Sequence, residues 1–190
     1  MSDEPQEQRD RRWARRIRTG DRSAFKKLFD AYVDRLYVYA EEHVERPSVA
    51  EDVVQDVFCD LWSRRSDWDP PGTVKAYLYR AVRNTALDRL DRRQVRDDWE
   101  EEEKQEDRSR LNVGPADALH QDELREAMEE AVEDLPGRQK TVYRLAHRHG
   151  LSYEEIASIL GIARKTVENH MGRALQSLRS KLTRYASFLQ

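Results

Sequence analysis

The sequence has little cysteine, glycine or proline and no long apolar run. Its 190 residues include one cysteine, Cys59, so an internal disulfide cannot form. Cys59 stands in a helical apolar pattern beside Phe58 and Leu61, which predicts a small buried side chain rather than a reactive thiol. No apolar run approaches the roughly 18–20 residues that cross a bilayer, and residues 1–18 are charged throughout, unlike a signal peptide. We therefore expect a cytoplasmic protein with no membrane insertion.

The 7 glycines and 6 prolines stand mainly between segments of helical periodicity, which is typical of an all-α chain. No stretch alternates convincingly with period two, as a half-buried strand would. Apolar residues at helical spacing predict three helices in the first half of the chain, over about 23–44, 48–62 and 73–95. Ser48 and Glu51 have the spacing of a capping box at the start of the second helix.

The net charge of −3 hides a strong segregation of charge along the chain. Residues 1–96 carry 20 basic and 18 acidic side chains, residues 97–134 carry 4 and 16, and residues 135–190 carry 10 and 3. A basic C-terminal third suits a nucleic-acid partner. The acidic stretch loses apolar periodicity from residue 97 to about 112, which indicates a solvated linker.

These patterns predict an all-α fold of two small helical bundles joined by an acidic linker, the C-terminal bundle carrying a helix-turn-helix. The expected divisions are a flexible N-terminal segment over 1–22, a helical bundle over 23–96, the acidic linker over 97–118 and the helix-turn-helix domain over 119–190.

The clearest motif is the helix-turn-helix between about Ser152 and Leu182. Ser152 and Glu155 form a second predicted capping box, and Gly161 follows the short helix where a positive φ is easiest for glycine. An ordinary helical hairpin with a solvated polar face is the alternative, and the agreement of cap, turn and amphipathic second helix favours the helix-turn-helix. The predicted shared core consists of Ile156, Leu160, Ile162 and Val167, with Met171, Ala174, Leu175, Leu178 and Leu182 also facing inward.

The outward face of the second helix has the chemistry of a base reader. In this motif the N-terminal part of that helix enters the major groove. Arginine and lysine bind guanine edges or phosphate, asparagine pairs with adenine, and glutamate accepts from cytosine. The candidate DNA-binding residues are Arg164, Lys165, Thr166, Glu168, Asn169 and Arg173.

Three segments before the helix-turn-helix resemble motifs of a known protein family, and they occur in the same order as in that family. They are Ala50–Phe58, Val74–Asn84 followed by Asp88, and Asp134–Arg138. Over about Ala24 to Arg184 the chain resembles the extracytoplasmic-function (ECF) group of bacterial sigma factors, of the sigma-70 family. The resemblance implies that the first bundle is sigma region 2 and the second is region 4. It also implies a protein that binds core RNA polymerase, recognises the −10 and −35 promoter elements and helps to open the DNA.

The resemblance also assigns roles to residues of the first bundle. It places a surface that docks on the clamp coiled coil of the polymerase β′ subunit at Asp52, Gln55, Asp56 and Phe58, although the spacing of Phe58 favours a core position. It places capture of an unstacked promoter base in the loop Ser66–Gly72, where Trp68 is a candidate stacking residue. The candidate −10 residues are Trp68, Tyr77, Arg80, Arg83, Asn84, Asp88, Arg92 and Arg93.

Region 4 would read the −35 element and sit on the β flap, and an anti-sigma factor is an implied further partner. The alternative is a GerE/LuxR-type regulator, because residues 166–170 also resemble its recognition helix. That class needs an upstream receiver or ligand domain, and residues 1–96 show no βα alternation. No phosphate loop, nucleophile motif or metal-ligand cluster is present, so we expect neither an enzyme nor a bound cofactor or metal.

Overall fold

The computed structural model describes residues 4–44, 46–97 and 119–188. These residues are helical and contain no strand, which confirms the all-α prediction. A single 3₁₀ turn, Arg65–Asp67, lies between the third and fourth helices. In chain order the helices are α1 (Gln6–Arg18), α2 (Arg22–Glu41), α3 (Pro47–Ser63), α4 (Val74–Asp97), α5 (Leu119–Glu133), α6 (Gly137–His147), α7 (Tyr153–Leu160) and α8 (Arg164–Phe188).

The helices group into two compact units, α1–α4 with α7 in one and α5, α6 and α8 in the other. The acidic segment predicted to join two domains lies outside the described residues from 98 to 118, so the predicted domain boundaries stay a prediction. None of the described helices is long and apolar enough to span a bilayer.

Helix α1 occupies residues for which the sequence predicted a flexible segment. Ala14 is 6% exposed and Ile17 is fully buried, so this helix covers the bundle instead of extending from it. The apolar stripe was hard to recognise because only a few apolar residues stand among six arginines between residues 9 and 18. The spacing of Trp13, Ala14 and Ile17 is nevertheless that of one helical face.

A buried polar contact joins α1 to α2. Both residues are buried, with Asp10 2% exposed and Tyr32 1% exposed. The Tyr32 hydroxyl donates a hydrogen bond to Asp10 Oδ2 and accepts one of 2.9 Å from Gln6 Nε2. Burial and this carboxylate raise the pKa of Tyr32 far above its ordinary value, which keeps the hydroxyl protonated as a donor.

The ends of α2 and α3 are set by different devices. Asp21 caps α2 by accepting from the backbone nitrogens of Ser23 (2.9 Å) and Ala24 (3.0 Å). Helix α3 begins at Pro47, without a side-chain cap, so the capping box predicted at Ser48 is wrong. Proline at the first helical position supplies the helical φ without needing a hydrogen-bond partner for its nitrogen.

The core of the first unit is lined by α2, α3 and α4. The predicted helix faces are largely correct, but Cys59 is exposed and the prediction that it is buried is wrong. It lies one position beyond the buried Phe58, and therefore about 100° around the helix from it. The fully buried large side chains of these three helices include Leu28, Tyr32, Leu36, Tyr39, Val53, Leu61, Val74, Leu78 and Tyr79.

The second unit has a small core between α5 and α8. Ala131, Leu135, Ala174 and Leu178 form one buried cluster. An ion pair of 2.7 Å between Lys181 Nζ and Asp134 Oδ2 closes its edge. Leu175 is 46% exposed, so its predicted inward orientation is wrong, because it lies next to Ala174 in sequence and only one of two adjacent helical positions faces so narrow a core.

Candidate nucleic-acid interface

The turn between α7 and α8 is built as the sequence predicted. Helix α7 ends at Leu160, Gly161 has a φ of 65°, and α8 begins at Arg164. The Ile162 nitrogen donates to Ala157 O over 3.1 Å, and this closes the end of α7. Ile156 and Val167 are fully buried, as predicted. Leu160 was also predicted to be buried, but it is partly exposed and its neighbour Ile159 is buried instead.

The predicted base-reading residues form the solvent face at the start of α8. Arg164, Lys165, Asn169 and Arg173 are exposed, and Thr166 and Glu168 are partly buried. Glu168 lies between two cations, since its Oε1 is 3.2 Å from Arg164 Nε and its Oε2 is 3.2 Å from Lys165 Nζ. Surface pairs of this kind contribute little free energy, so a base or phosphate can replace either one.

The predicted −10 residues of α4 share a second polar face. Asn84 and Asp88 are exposed, and Tyr77, Arg80 and Arg83 are half-buried. Tyr77, Arg80, Asn84 and Asp88 are spaced three or four residues apart and so form one stripe along the helix. Burial raises the pKa of Tyr77. Arg92 and Arg93 belong to α4, but their side chains lie outside the described residues.

The loop before α4 holds its tryptophan inside the protein. Trp68 is 5% exposed, and its ring meets that of Tyr77 edge to face at 5.7 Å between centroids. Burial leaves the faces of the indole covered, so stacking of a base on Trp68 requires the loop to rearrange. Tyr77 is the more accessible of the two aromatic rings.

Helix α3 presents a compact acidic face. Asp52, Gln55 and Asp56 are exposed and lie on one side of the helix. Phe58 is 3% exposed and packs against Phe29 at 4.9 Å between ring centroids, as a core residue does.

Arg89 of α4 joins the two carboxylates of this face, a contact that was not predicted. Its Nη1 is 3.2 Å from Asp52 Oδ2, and its Nη2 is bonded to Asp56. The hydrogen bond to Asp56, more than any other cause, raises the pKa of Arg89. No local sequence pattern indicates this contact, because Arg89 and its two partners lie on different helices.

Comparison with known proteins assigns two stretches of the chain to one family. Residues 28–96 match the family model for sigma-70 region 2, and residues 125–178 match the model for sigma-70 region 4. The chain is 32% identical to the RNA polymerase sigma factor SigV of Bacillus subtilis, over 78% of this chain and 84% of SigV. It is 30% identical to the ECF RNA polymerase sigma factor SigE of Mycolicibacterium smegmatis, over 89% of this chain and 66% of SigE.

A solved structure supports the same assignment. The structure of CnrH in complex with the cytosolic domain of CnrY has a TM-score of 0.62 and 26% identity, and the match covers 92% of this chain and 97% of CnrH. Nothing in these matches favours a GerE/LuxR-type regulator.

Proposed function

This chain belongs to the ECF group of the sigma-70 family, and we propose from this premise how its surfaces divide the work of transcription initiation. As a sigma factor it binds core RNA polymerase, recognises the −10 and −35 promoter elements and supports promoter opening. One observation supports the proposal: along the chain, an acidic face on α3 is followed by an arginine-bearing polar face on α4 and by an exposed polar face at the start of α8.

The start of α8 reads the −35 element in the major groove. Asn169 is exposed and has the donor and acceptor pair that recognises adenine. Arg164, Lys165 and Arg173 contact guanine edges or phosphates, and Thr166 contacts phosphate. Glu168 either accepts from cytosine or holds Arg164 and Lys165 in position through its two ion pairs.

The α4 face reads the −10 element. Asn84 and Asp88 have exposed groups for base edges, and the cations of the same helix neutralise phosphate. Tyr77 supplies the aromatic surface for an unstacked base, and Trp68 supports it from inside the loop. Arg80 or Arg83 can also stack on a base through its planar guanidinium group.

The α3 face docks on the clamp coiled coil of β′. The carboxylates of Asp52 and Asp56, with the amide of Gln55, suit a basic partner helix. Phe58 contributes from the core by supporting the helix. The region 4-like domain predicted over residues 119–190 sits on the β flap.

The same surfaces suit a regulatory protein of the anti-sigma type. CnrH was solved with a second protein, the cytosolic domain of CnrY, and this chain presents a comparable fold. A protein that covers the α3 or α8 face would block polymerase or promoter binding. The chain itself performs no chemistry in this proposal, and it acts in the cytoplasm beside the polymerase.

In vitro transcription tests the proposed function. Promoters are first located by sequencing the transcripts that overexpression induces, and core polymerase is then assayed on them with and without the purified protein. We expect transcripts with no other sigma factor present. A protein that acts only when a second sigma factor is added is a regulator, and this result would reject the proposal.

Variants in the same assay test the assigned surfaces. We expect Asp52→Ala/Asp56→Ala to weaken core binding, whereas Asp60→Ala, on the same helix and paired with Arg64 at 2.9 Å, does not. Asn169→Ala should change the preferred −35 sequence, while the exposed Gln176→Ala, two turns further along α8, leaves it unchanged. Equal losses on all −35 sequences would contradict base readout by Asn169.

A further inference from the structure

A small cleft lies between α1 and the loop that precedes α4. Its volume is about 170 Å³, below the roughly 300–1,000 Å³ of pockets that hold drug-sized ligands. Helix α1 lines it with Arg11, Arg15 and Arg18, and the loop lines it with Trp68 and Asp69. A cleft of this size with three guanidinium groups suits a compact anion.

The three arginines converge because of their spacing. Positions four and three residues apart lie on one face of a helix, and all three side chains are exposed. Arg11 pairs with Glu7 at 2.9 Å and Arg18 lies 3.9 Å from Asp69. Both pairs are exposed at the surface, where ion pairs contribute little free energy, so an incoming anion can replace them.

The helix that carries the arginines is fixed to the bundle. Ile17 is fully buried, and the Tyr32 hydroxyl holds Asp10 from the neighbouring helix. Arg16 of α1 also pairs with Asp21, the residue that caps α2, over 2.6 Å from Nη2 to Oδ2. The arginine face is therefore held in one orientation toward the loop, which lowers the entropy cost of binding.

We propose that Arg11, Arg15 and Arg18 bind the phosphate backbone of single-stranded DNA at the cleft beside the loop Ser66–Gly72. The inference rests on the proposed function, in which this loop receives an unstacked promoter base, and adds to it a backbone clamp on α1. Helix α1 precedes the part of the chain that matches the region 2 model, residues 28–96. A guanidinium group matches phosphate geometry through paired hydrogen bonds.

Fluorescence anisotropy of the full-length protein with a labelled 12-nucleotide single strand of random sequence tests this proposal. We expect Arg15→Ala to weaken binding about 5-fold, as loss of an exposed charge pair does. The slope of log affinity against log salt should fall by about 0.7 for each phosphate contact removed from a single strand. The triple variant Arg11→Ala/Arg15→Ala/Arg18→Ala should lower the affinity and the salt dependence further.

Arg12→Ala is the matched control. Arg12 is exposed on the same helix, pairs with Glu4 at 2.9 Å and does not line the cleft. Equal losses for Arg12→Ala and Arg15→Ala would show a general charge effect and overturn the proposal. Circular dichroism melting of each variant separates loss of binding from loss of folding.

Two further probes identify the ligand. An abasic 12-nucleotide strand should show the same dependence on Arg15, because it keeps the phosphates. Loss of that dependence, or an equal dependence with a 12-residue polyglutamate peptide, would overturn the assignment to the DNA backbone. So would a lack of binding by the wild-type protein at about 100 μM, the weak end of ordinary non-specific DNA binding.

The outcome is independent of the transcription assay. If Arg15→Ala binds the strand as the wild type does while the protein still directs transcription, the clamp is wrong and the proposed function stands. If the wild-type protein fails to direct transcription by core polymerase, the proposed function fails whatever the strand-binding result.

Discussion

At the scale of single residues, the contact between Asp10 and Tyr32 places a carboxylate inside the first unit. A carboxylate removed from water requires hydrogen bonds or opposite charge to offset its desolvation. Tyr32 supplies the buried hydrogen bond, and Arg9 Nε lies 3.4 Å from the other carboxylate oxygen. The Tyr32 hydroxyl therefore helps to hold α1 against α2, together with the burial of Ala14 and Ile17.

We expect Tyr32→Phe to destabilise the protein by about 1.5–3 kcal/mol, the range for a hydrogen bond to a charged group. The substitution leaves the Asp10 carboxylate buried without its principal donor. Urea denaturation followed by circular dichroism measures the change. Because α1 carries the cleft arginines, the same variant should also weaken binding of the single strand.

Tyr37→Phe is the control for this prediction. Its hydroxyl is on the same helix and bonds Glu41 in solvent, so its loss should change the free energy of unfolding little. A destabilisation as large as that of Tyr32→Phe would show that the buried contact is not the cause.

The sequence predicted the exposure of most site residues. The exceptions depend on a loop and on packing between helices that are distant in sequence. The outward positions of α8 follow from helical periodicity, whereas the family resemblance indicated the acidic face of α3. Trp68 did not follow, because a loop has no periodicity from which burial can be read. The role of Arg89 was also hidden, since its partners stand more than 30 positions away in the sequence and only packing brings them together.

At the scale of helices and turns, the turn between α7 and α8 depends on the backbone conformation of one glycine. Gly161 has a φ of 65°, in the region that costs a residue with a Cβ atom free energy. A Cβ atom added there would meet nothing within 4 Å. The requirement for glycine is therefore conformational and not one of space.

We expect Gly161→Ala to destabilise the protein by about 1 kcal/mol, because alanine is strained at positive φ. Gly172→Ala should instead be stabilising by roughly 0.5–1 kcal/mol, since glycine is a poor helix former. Gly172 lies within α8, and an added Cβ atom there also has free space. Thermal melting of both variants gives the two signs, and destabilisation by both would contradict this explanation.

The helix boundaries show where sequence reasoning is weakest. Helices α2 and α4 begin and end close to their predicted positions because glycine, proline and apolar periodicity agree there. Helix α1 was missed since its narrow apolar stripe lies among arginines, and α3 starts at Pro47 because proline at the first position outweighs a serine one residue later.

At the scale of the whole molecule, the predicted linker is acidic and the C-terminal third is basic. Residues 97–118 hold 9 acidic side chains against 3 basic ones, a composition that predicts solvation rather than packing. The family matches end at residue 96 and resume at residue 125. Two domains joined by a segment without a packing role therefore remain our prediction.

Limited trypsin digestion tests this division. Lys104, Arg108 and Arg110 lie within the predicted linker, and we expect first cleavage there, giving two protease-resistant fragments. Mass spectrometry of the early products locates the cut. Early cleavage at the many lysines and arginines of residues 23–96 would contradict the predicted boundary.

The bond between Arg89 and the two carboxylates of α3 has a consequence for choice of partner. A basic surface that approaches Asp52 and Asp56 meets acids that already have a cation, so it must displace a guanidinium group rather than water alone. Weakly basic surfaces gain nothing from that exchange, whereas a partner with well-placed arginines of its own can complete it. The ion pairs of Arg89 therefore favour a partner whose own cations match the positions of both carboxylates.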